Sequence, residues 1–330
     1  MTHGNDMLAM PVTTSPRAGR TSRVLALSAL CASLFAFPWI ANFQNYLLYN
    51  AGIGLLYVLL ATGYNILLGL CGQLALAHVA FFGIGAYVSA LLTRDLGVVW
   101  AVALSAAILM PTLAAWIMAR AALRFTGPYL AMVTFAFYSA VLTVLTNWVG
   151  LTNGWGGVSR IPPASVAGFQ FDTPIRTYYL LLGFAGAGLY FAHRLKHSRL
   201  GRAMLAVREN RLAAKGIGID TAATITVAFC ISGAYAGLAG SLHAHVIHYI
   251  DPTTFGLPRL IDLLIIMIVG GRGSIYGVAA AALAFVFALE YLRILQDWKL
   301  MIFGVLLVVM MNTSPNGLGE LVERFRPRTR

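Results

Sequence analysis

Four residues in one ten-residue stretch carry groups that a purely apolar chain does not need. In GLCGQLALAH, residues 69–78, Gly69, Gly72, Gln73 and His78 interrupt a run that would otherwise dissolve in lipid. The two glycines let the backbone leave α-geometry or let another helix approach closely. A segment unwound inside a membrane frees N–H and C=O groups to bind a zwitterion or to meet water. Gln73 and His78 add an amide and an imidazole, and Asn65 stands one or two helical turns earlier. Polar groups in such a setting line a cavity or pair with one another. The chemistry on offer is recognition of a small polar solute. Helix packing through the glycines and an interhelical hydrogen bond through His78 are the structural alternatives for the same residues.

The elements that position these residues follow from composition. The chain has 330 residues, 59% hydrophobic and only 10% charged, where a soluble domain carries about 25% charged residues. Residues 24–93, 96–119, 125–159, 221–250, 273–289 and 300–319 contain no Asp, Glu, Lys or Arg. A bilayer core takes roughly 20 apolar residues per helix. These runs predict an all-α fold, a polytopic membrane helix bundle, whereas a β-barrel would show short alternating segments. Polar and Gly/Pro breaks divide the chain into about ten transmembrane helices, near 24–41, 47–69, 76–93, 98–119, 128–149, 177–194, 221–248, 257–270, 275–292 and 299–313. The eighth is short enough to be re-entrant or half-spanning. The chain thus reads as a tail (1–23), a transmembrane domain (24–313) with one large inner loop (195–220), and a second tail (314–330).

Arg17, Arg20 and Arg23 precede the first apolar run, which lacks an A-x-A cleavage site and reads as an uncleaved span. With the N-terminus inside, the inner segments 1–23, 120–127, 195–220 with Arg194, 271–274 and 314–330 hold 17 of the 23 Lys and Arg residues. That asymmetry fits the positive-inside rule and puts both termini in the cytoplasm. The net charge of +12 is then a matter of membrane orientation, with no nucleic acid as partner. Cys31, Cys71 and Cys230 lie in apolar runs without CxxC or Cys/His metal spacing. His245 and His248 share a helix face with no thiol or carboxylate ligand nearby, a weak metal signal. With His243 they read as ordinary solvated or hydrogen-bonded histidines near the outer interface, and no metal site is expected. Asp262 is spaced to pair with Arg259 one turn earlier. GLAGSLHAH at 237–245 echoes the G-L-x-G-x-L of 69–74, a trace of possible internal pseudo-symmetry. No G-x-x-x-x-G-K-[ST] loop is present, and GGRGS at 270–274 lacks both its length and its lysine. An ATPase driving transport would be another chain.

The inner loop HSRLGRAMLAVRENRLAAKGIGID (197–220) reads as one helix ended by Gly216 and Gly218. Leu200, Met204 and Val207 fall at helical spacing, and Arg208, Arg211 and Lys215 share another face. A helix lying on anionic lipid, a docking helix for a cytoplasmic partner and a plain positive-inside loop all fit that pattern.

GRAMLAVRENRLAAKGIGI resembles the cytoplasmic loop of permease subunits of ABC importers for branched-chain amino acids. Gly201, Arg202, Ala206, Arg208, Glu209, Asn210, Ala213, Ala214 and Gly218 fit that family's pattern. GLCGQLALAHVAFFGIGAY, GPYLAMVTFAF (127–137), TNGWGGVSRIP (152–162), LLIIMIVGGRGSIYG (263–277) and PNGL (315–318) resemble its other blocks in the same order. The similarity runs over roughly residues 45–320. It implies a transport subunit that forms half of a translocation pathway, performs no bond chemistry and has no cofactor, ATP being used by its partners. Those partners would be a second related permease, two cytoplasmic ATPase subunits and a periplasmic substrate-binding protein, at a bacterial inner membrane. Gly201, Arg202, Arg208, Glu209, Asn210, Ala213, Ala214 and Gly218 would form the ATPase-docking helix. Gln73, His78, Gly69, Gly72 and Asn65 would line the solute pathway.

Two departures stand out. The family often reads G-Q-x-S-L-G where this chain has GQLALAH, so Ala75 replaces a hydroxyl and Ala77 a glycine. Lys215 stands where an acidic residue is common. Relatives are assigned to urea, amides and aromatic acids as well as branched-chain amino acids. A second reading is a stand-alone secondary transporter or channel for a small polar solute such as urea or an amide, with His78 and Glu290 as its ionisable groups. A membrane enzyme would need converging acid/base or metal groups, which the sequence does not bring together.

Overall fold

The computed structural model describes residues 34–39, 44–166 and 168–291. The tails, the span expected at 299–313, most of that at 24–41 and the PNGL block lie outside the described residues. The chain divides into two units, 1–44 and 45–330, and in the first of them residues 34–39 are helical.

The second unit carries helices α1 (Asn45–Tyr64), α2 (His78–Arg94), α3 (Trp100–Ala122), α4 (Pro128–Asn147), α5 (Pro174–His197), α6 (Arg199–Glu209), α7 (Arg211–Gly216), α8 (Thr221–Ile247), α9 (Leu257–Gly270) and α10 (Ile275–Tyr291). A six-residue π-helix, Asn65–Leu70, prolongs α1. Among the described residues, strand structure is confined to two antiparallel pairs of two residues each. Val158–Ser159 pairs with Tyr249–Ile250, and Ser165–Val166 with Phe169–Gln170.

Five stretches among the described residues are long and apolar enough to cross a membrane: Asn45–Leu70, Trp100–Ala122, Pro128–Asn147, Thr221–Ile247 and Pro252–Gly270. The bundle is all-α in character; the expected total of ten crossings extends beyond the described residues. α9 alone has 14 residues, about 21 Å at 1.5 Å per residue, short of a hydrocarbon core of about 30 Å. The 3₁₀ turn Pro252–Phe255 ahead of it brings the apolar stretch to 19 residues.

The helices differ in what surrounds them. α1 is buried on every side from Gly54 through Tyr64, so it is the centre of the unit. α3 and α4 instead turn large apolar side chains outward, among them Val102, Leu109, Leu113, Ile117, Tyr129 and Met132. A helix that is apolar all round yet exposed has lipid as its remaining neighbour.

α2 and α8 run parallel and are joined along one seam. His78 bonds to Ser232 (2.8 Å), and Ser89 bonds to Ser241 (2.7 Å) and His245 (2.9 Å). Between these, Gly85 meets Gly237: a Cβ on Gly85 would come within 2.5 Å of the Gly237 Cα. On its other side Gly237 faces the Ala107 carbonyl of α3. That carbonyl is one that Pro111 cannot bond, because proline lacks the N–H that α-geometry would direct at it. Small residues let the three backbones touch, which is how helices associate where no hydrophobic drive operates between them.

The echo between 69–74 and 237–242 is not a structural repeat. Gly237 and Gly240 lie in an unbroken helix, whereas the first copy is broken at Gly72. The matching letters serve packing in one place and a break in the other.

Candidate functional site

The break at 69–78 begins before its glycines. The chain leaves α-geometry at Asn65, where the π-helix starts; single π turns inside helices are frequent at functional positions. Gly72 then takes φ +71°, a conformation open to glycine at no steric cost. The Gln73 amide still reaches back to the Leu67 carbonyl (3.0 Å). Residues 72–75 are irregular, the Leu76 amide donates to the Thr134 hydroxyl of α4 (3.0 Å), and α2 opens at His78.

Two other pieces of chain close on this break. The first is the tight turn at 271–274, with Gly271 and Gly273 at φ +82° and +83°. Asn65 holds it: its Oδ1 accepts from the Gly273 amide (2.9 Å) and its Nδ2 donates to the Ser274 carbonyl (3.2 Å). Lys196 at the end of α5 donates to the Gly273 carbonyl (2.7 Å). A Cβ on Gly69 would lie 2.5 Å from the Gly273 nitrogen, so Gly69 is what lets the turn seat against the π-helix.

The second piece is the inner loop. Sequence periodicity predicts one helix across 197–216; the structure has two, parted at Asn210, whose backbone is extended (φ −158°, ψ 114°). Asn210 Oδ1 accepts from the Leu212 and Ala213 amides (2.9 and 3.0 Å). It is an N-cap, and asparagine is among the strongest of these. The break redirects the basic residues. Arg208 Nη1 donates to the Gly69 carbonyl (2.6 Å) and lies against Gly273. Arg211 donates to Gln73 Oε1. Partial burial lowers the Arg211 pKa from its ordinary value, but a guanidinium keeps its charge in proteins. The common face expected of Arg208, Arg211 and Lys215 does not exist, because no continuous helix carries all three.

Residues named from the sequence as solute-pathway and as docking positions therefore meet in one place. Asn65, Gly69, Gly72 and Gln73 touch α6, α7 or the 271–274 turn. Gly201 and Ala214 are buried, Gly201 because a side chain there would strike the Leu195 and Lys196 carbonyls. Arg202, Arg208, Glu209, Asn210, Ala213 and Gly218 are exposed. Leu212 and Ile217 were not singled out from sequence, yet they are 82% and 76% exposed. Their signal was available: two large apolar residues in a basic polar segment.

His78 is placed apart from this cluster and is fully buried. Nε2 faces the Leu60 carbonyl (3.0 Å) and Nδ1 the Ser232 hydroxyl (2.8 Å). A carbonyl only accepts, so Nε2 carries the proton and Nδ1 accepts from Ser232. The ring stacks on Tyr64 at 5.2 Å. Both nitrogens are used in tying α1, α2 and α8 together. His78→Ala is expected to lower stability by about 2–6 kcal/mol, two buried partners losing their bond at roughly 1–3 kcal/mol each. An unchanged unfolding midpoint in detergent, with transport lost, would instead return His78 to the solute path.

Of the late histidines, expected to be solvated or hydrogen-bonded, His245 and His248 are hydrogen-bonded and His243 is buried. His243 and His245 are 5% and 2% exposed. His245 bonds to Ser89 and to the Pro162 carbonyl (2.7 Å), and His248 to the Ile161 carbonyl (2.9 Å). Asp262 does lie beside Arg259, at 3.8 Å.

The family model for the permease component of branched-chain amino acid transport systems matches residues 46–311. The chain belongs to that family. Among curated permeases it is 32% identical to the high-affinity branched-chain amino acid transport system permease protein LivM of Escherichia coli K12, over 81% of this chain and 68% of that one. It is 31% identical to LivM of Salmonella typhimurium LT2, over 89% and 74% respectively. With the E. coli permease LivH the identity is 27%, over 81% of this chain and 92% of the relative. No solved structure matches this permease.

Proposed function

We propose that this permease imports branched-chain or related amino acids through a bacterial inner membrane, as one of two related transmembrane subunits served by two cytoplasmic ATPases and a periplasmic binding protein. Both termini and the α6–α7 element face the cytoplasm, where ATP is hydrolysed by the partner subunits. The observation that carries the reading is the pair of bonds from Arg208 to Gly69 and from Arg211 to Gln73. Through them, displacement of α6 and α7 by an ATPase reaches the break at 69–73, and through Asn65 it reaches the turn at 271–274. The family membership favours this over a stand-alone transporter, whose mechanism would need no docking element.

In this reading the two arginines look inward and grip the membrane segment, while Glu209, Leu212 and Ile217 look outward to the ATPase. An exposed apolar pair on a polar element is the surface a partner covers. Burying a leucine contributes about 1.5–3 kcal/mol, worth roughly tenfold or more in affinity. Leu212→Asp combined with Ile217→Asp is therefore expected to cut the yield of the co-expressed ATPase in affinity purification by at least that factor. The permease itself should elute unchanged, since both side chains are exposed. Undiminished ATPase recovery would remove the docking assignment.

A further inference from the structure

Along the first part of α1, from Tyr49 to Leu60, the bundle borders a cavity of about 280 Å³. Its size lies near the lower end for small-molecule sites, roughly 300–1,000 Å³. Two charged side chains of opposite sign line it, Arg259 at the start of α9 and Glu290 near the end of α10. The rest of the wall is largely apolar, including Ile53, Leu56, Leu60, Phe82, Val286 and Leu289.

Glu290 already accepts from the Tyr46 hydroxyl, and a carboxylate takes more than one donor; Arg259 and His243 are used only in part. Arg259 donates from Nε to the Thr254 carbonyl (3.3 Å) and lies over the Tyr57 ring at 5.0 Å. Its Nη1 is 3.8 Å from Asp262, beyond hydrogen-bond distance. Asp262 also accepts from the Tyr57 hydroxyl (3.2 Å). A guanidinium has five N–H donors, so this one retains capacity toward the cavity. His243 also lines it, 5% exposed and edge-on to Phe82 at 5.2 Å. Its Nδ1 has no hydrogen-bond partner among the described residues. Buried polar atoms are nearly always paired, and an orphan calls for an explanation such as a bound group.

We infer that this cavity is a binding site for a free amino acid with an aliphatic side chain. The α-carboxylate is held by Arg259 with His243 beside it, the α-ammonium by Glu290, and the side chain lies against the apolar wall. Arginine is the residue suited to a carboxylate, which its planar fork meets with two donors. The pairing of both charges with a small apolar wall selects a zwitterion over an amine, an acid or a sugar. The inference rests on the importer reading and adds to it a place where the solute pauses, lined by none of the residues of the arginine-held break.

The test uses the two permeases with their ATPases in nanodiscs, the binding protein left out of the binding assay and restored for uptake, with radiolabelled L-leucine as the probe. Excess unlabelled L-leucine should displace the label, whereas 4-methylpentanoate, which lacks the ammonium, and 3-methylbutylamine, which lacks the carboxylate, should not. Arg259→Gln should weaken binding at least about tenfold, the effect of losing one charged hydrogen bond. Ile53→Phe, which narrows the apolar wall, should weaken L-leucine while leaving L-alanine able to compete with the residual label, a change of preference that misfolding would not produce. Displacement by the amine or the acid as strong as by L-leucine would overturn the zwitterion assignment. Wild-type binding by Arg259→Gln and unchanged preference in Ile53→Phe, with ATP-driven leucine uptake intact, would overturn the site and leave the importer standing. Absence of ATP-driven amino acid uptake by the wild-type complex would overturn both.

Discussion

Arg208→Gln should reduce ATP-driven uptake about tenfold or more while the ATPase stays bound. The Arg208 guanidinium reaches the Gly69 carbonyl at 2.6 Å and lies against Gly273, so one side chain spans α6, the π-helix and the 271–274 turn. A hydrogen bond to a charged group contributes about 1.5–3 kcal/mol. Arg208 as a residue is exposed to solvent although its bond to Gly69 is partly buried, so only the lower end of that range applies; 1.4 kcal/mol is a factor of ten in rate. Glutamine is shorter and uncharged and cannot span the same gap. Arg208→Lys keeps the charge but not the fork, so it should recover only part of the loss. ATP hydrolysis should continue in both variants, because the outward face of Leu212 and Ile217 is untouched. Uptake in Arg208→Gln within twofold of wild type would contradict the role given to this residue.

Gly237→Leu should prevent recovery of folded protein. A Cβ on Gly237 would strike the Ala107 carbonyl of α3, and the Gly237 backbone itself leaves no room for a Cβ on Gly85 of α2. Pro111 Cγ would lie 2.8 Å from an added Cβ. Overpacking a well-packed core costs roughly 1–3 kcal/mol, and more when nothing flexible yields. Here the obstacles are backbone atoms and a proline ring, so the cost exceeds about 3 kcal/mol against a total stability of about 5–15 kcal/mol. Gly183 on α5 is the control, since nothing lies within 4 Å of a Cβ there. In size-exclusion profiles, Gly183→Leu should retain the wild-type peak and Gly237→Leu should lose it. Equal behaviour of the two would show that the α2–α8–α3 seam does not require glycine.

The apolar runs and their punctuation carry much of the fold. α9 occupies 257–270 as expected, with Pro258 in its first turn and Gly271 beyond its end, both local signals with fixed backbone preferences. The π-helix was less legible: the glycines announced a break, but Asn65 starts it, for a reason that lies more than 200 residues away at Gly273. Asn210 was visible as a capping residue, yet the flanking basic spacing favoured a single helix and hid the inward turn of Arg208 and Arg211. The cavity had no local signature at all. It draws on residues from Tyr49 to Glu290, and only packing brings them together. His243 illustrates the limit: next to His245 and His248 it looked solvated, and its burial against Phe82 and Phe255 depends on helices far apart in sequence.

The claim at the centre is that the docking element and the break at 69–73 move as one body. It is tested most directly by the distance between spin labels at Leu74 and at Arg199 of α6, both exposed side chains, in the assembled transporter in lipid. With the Arg208 and Arg211 bonds in place, a single narrow distance distribution should persist with and without ATP, and it should broaden in Arg208→Gln. A wild-type distribution that shifts or splits on ATP binding would contradict the coupling.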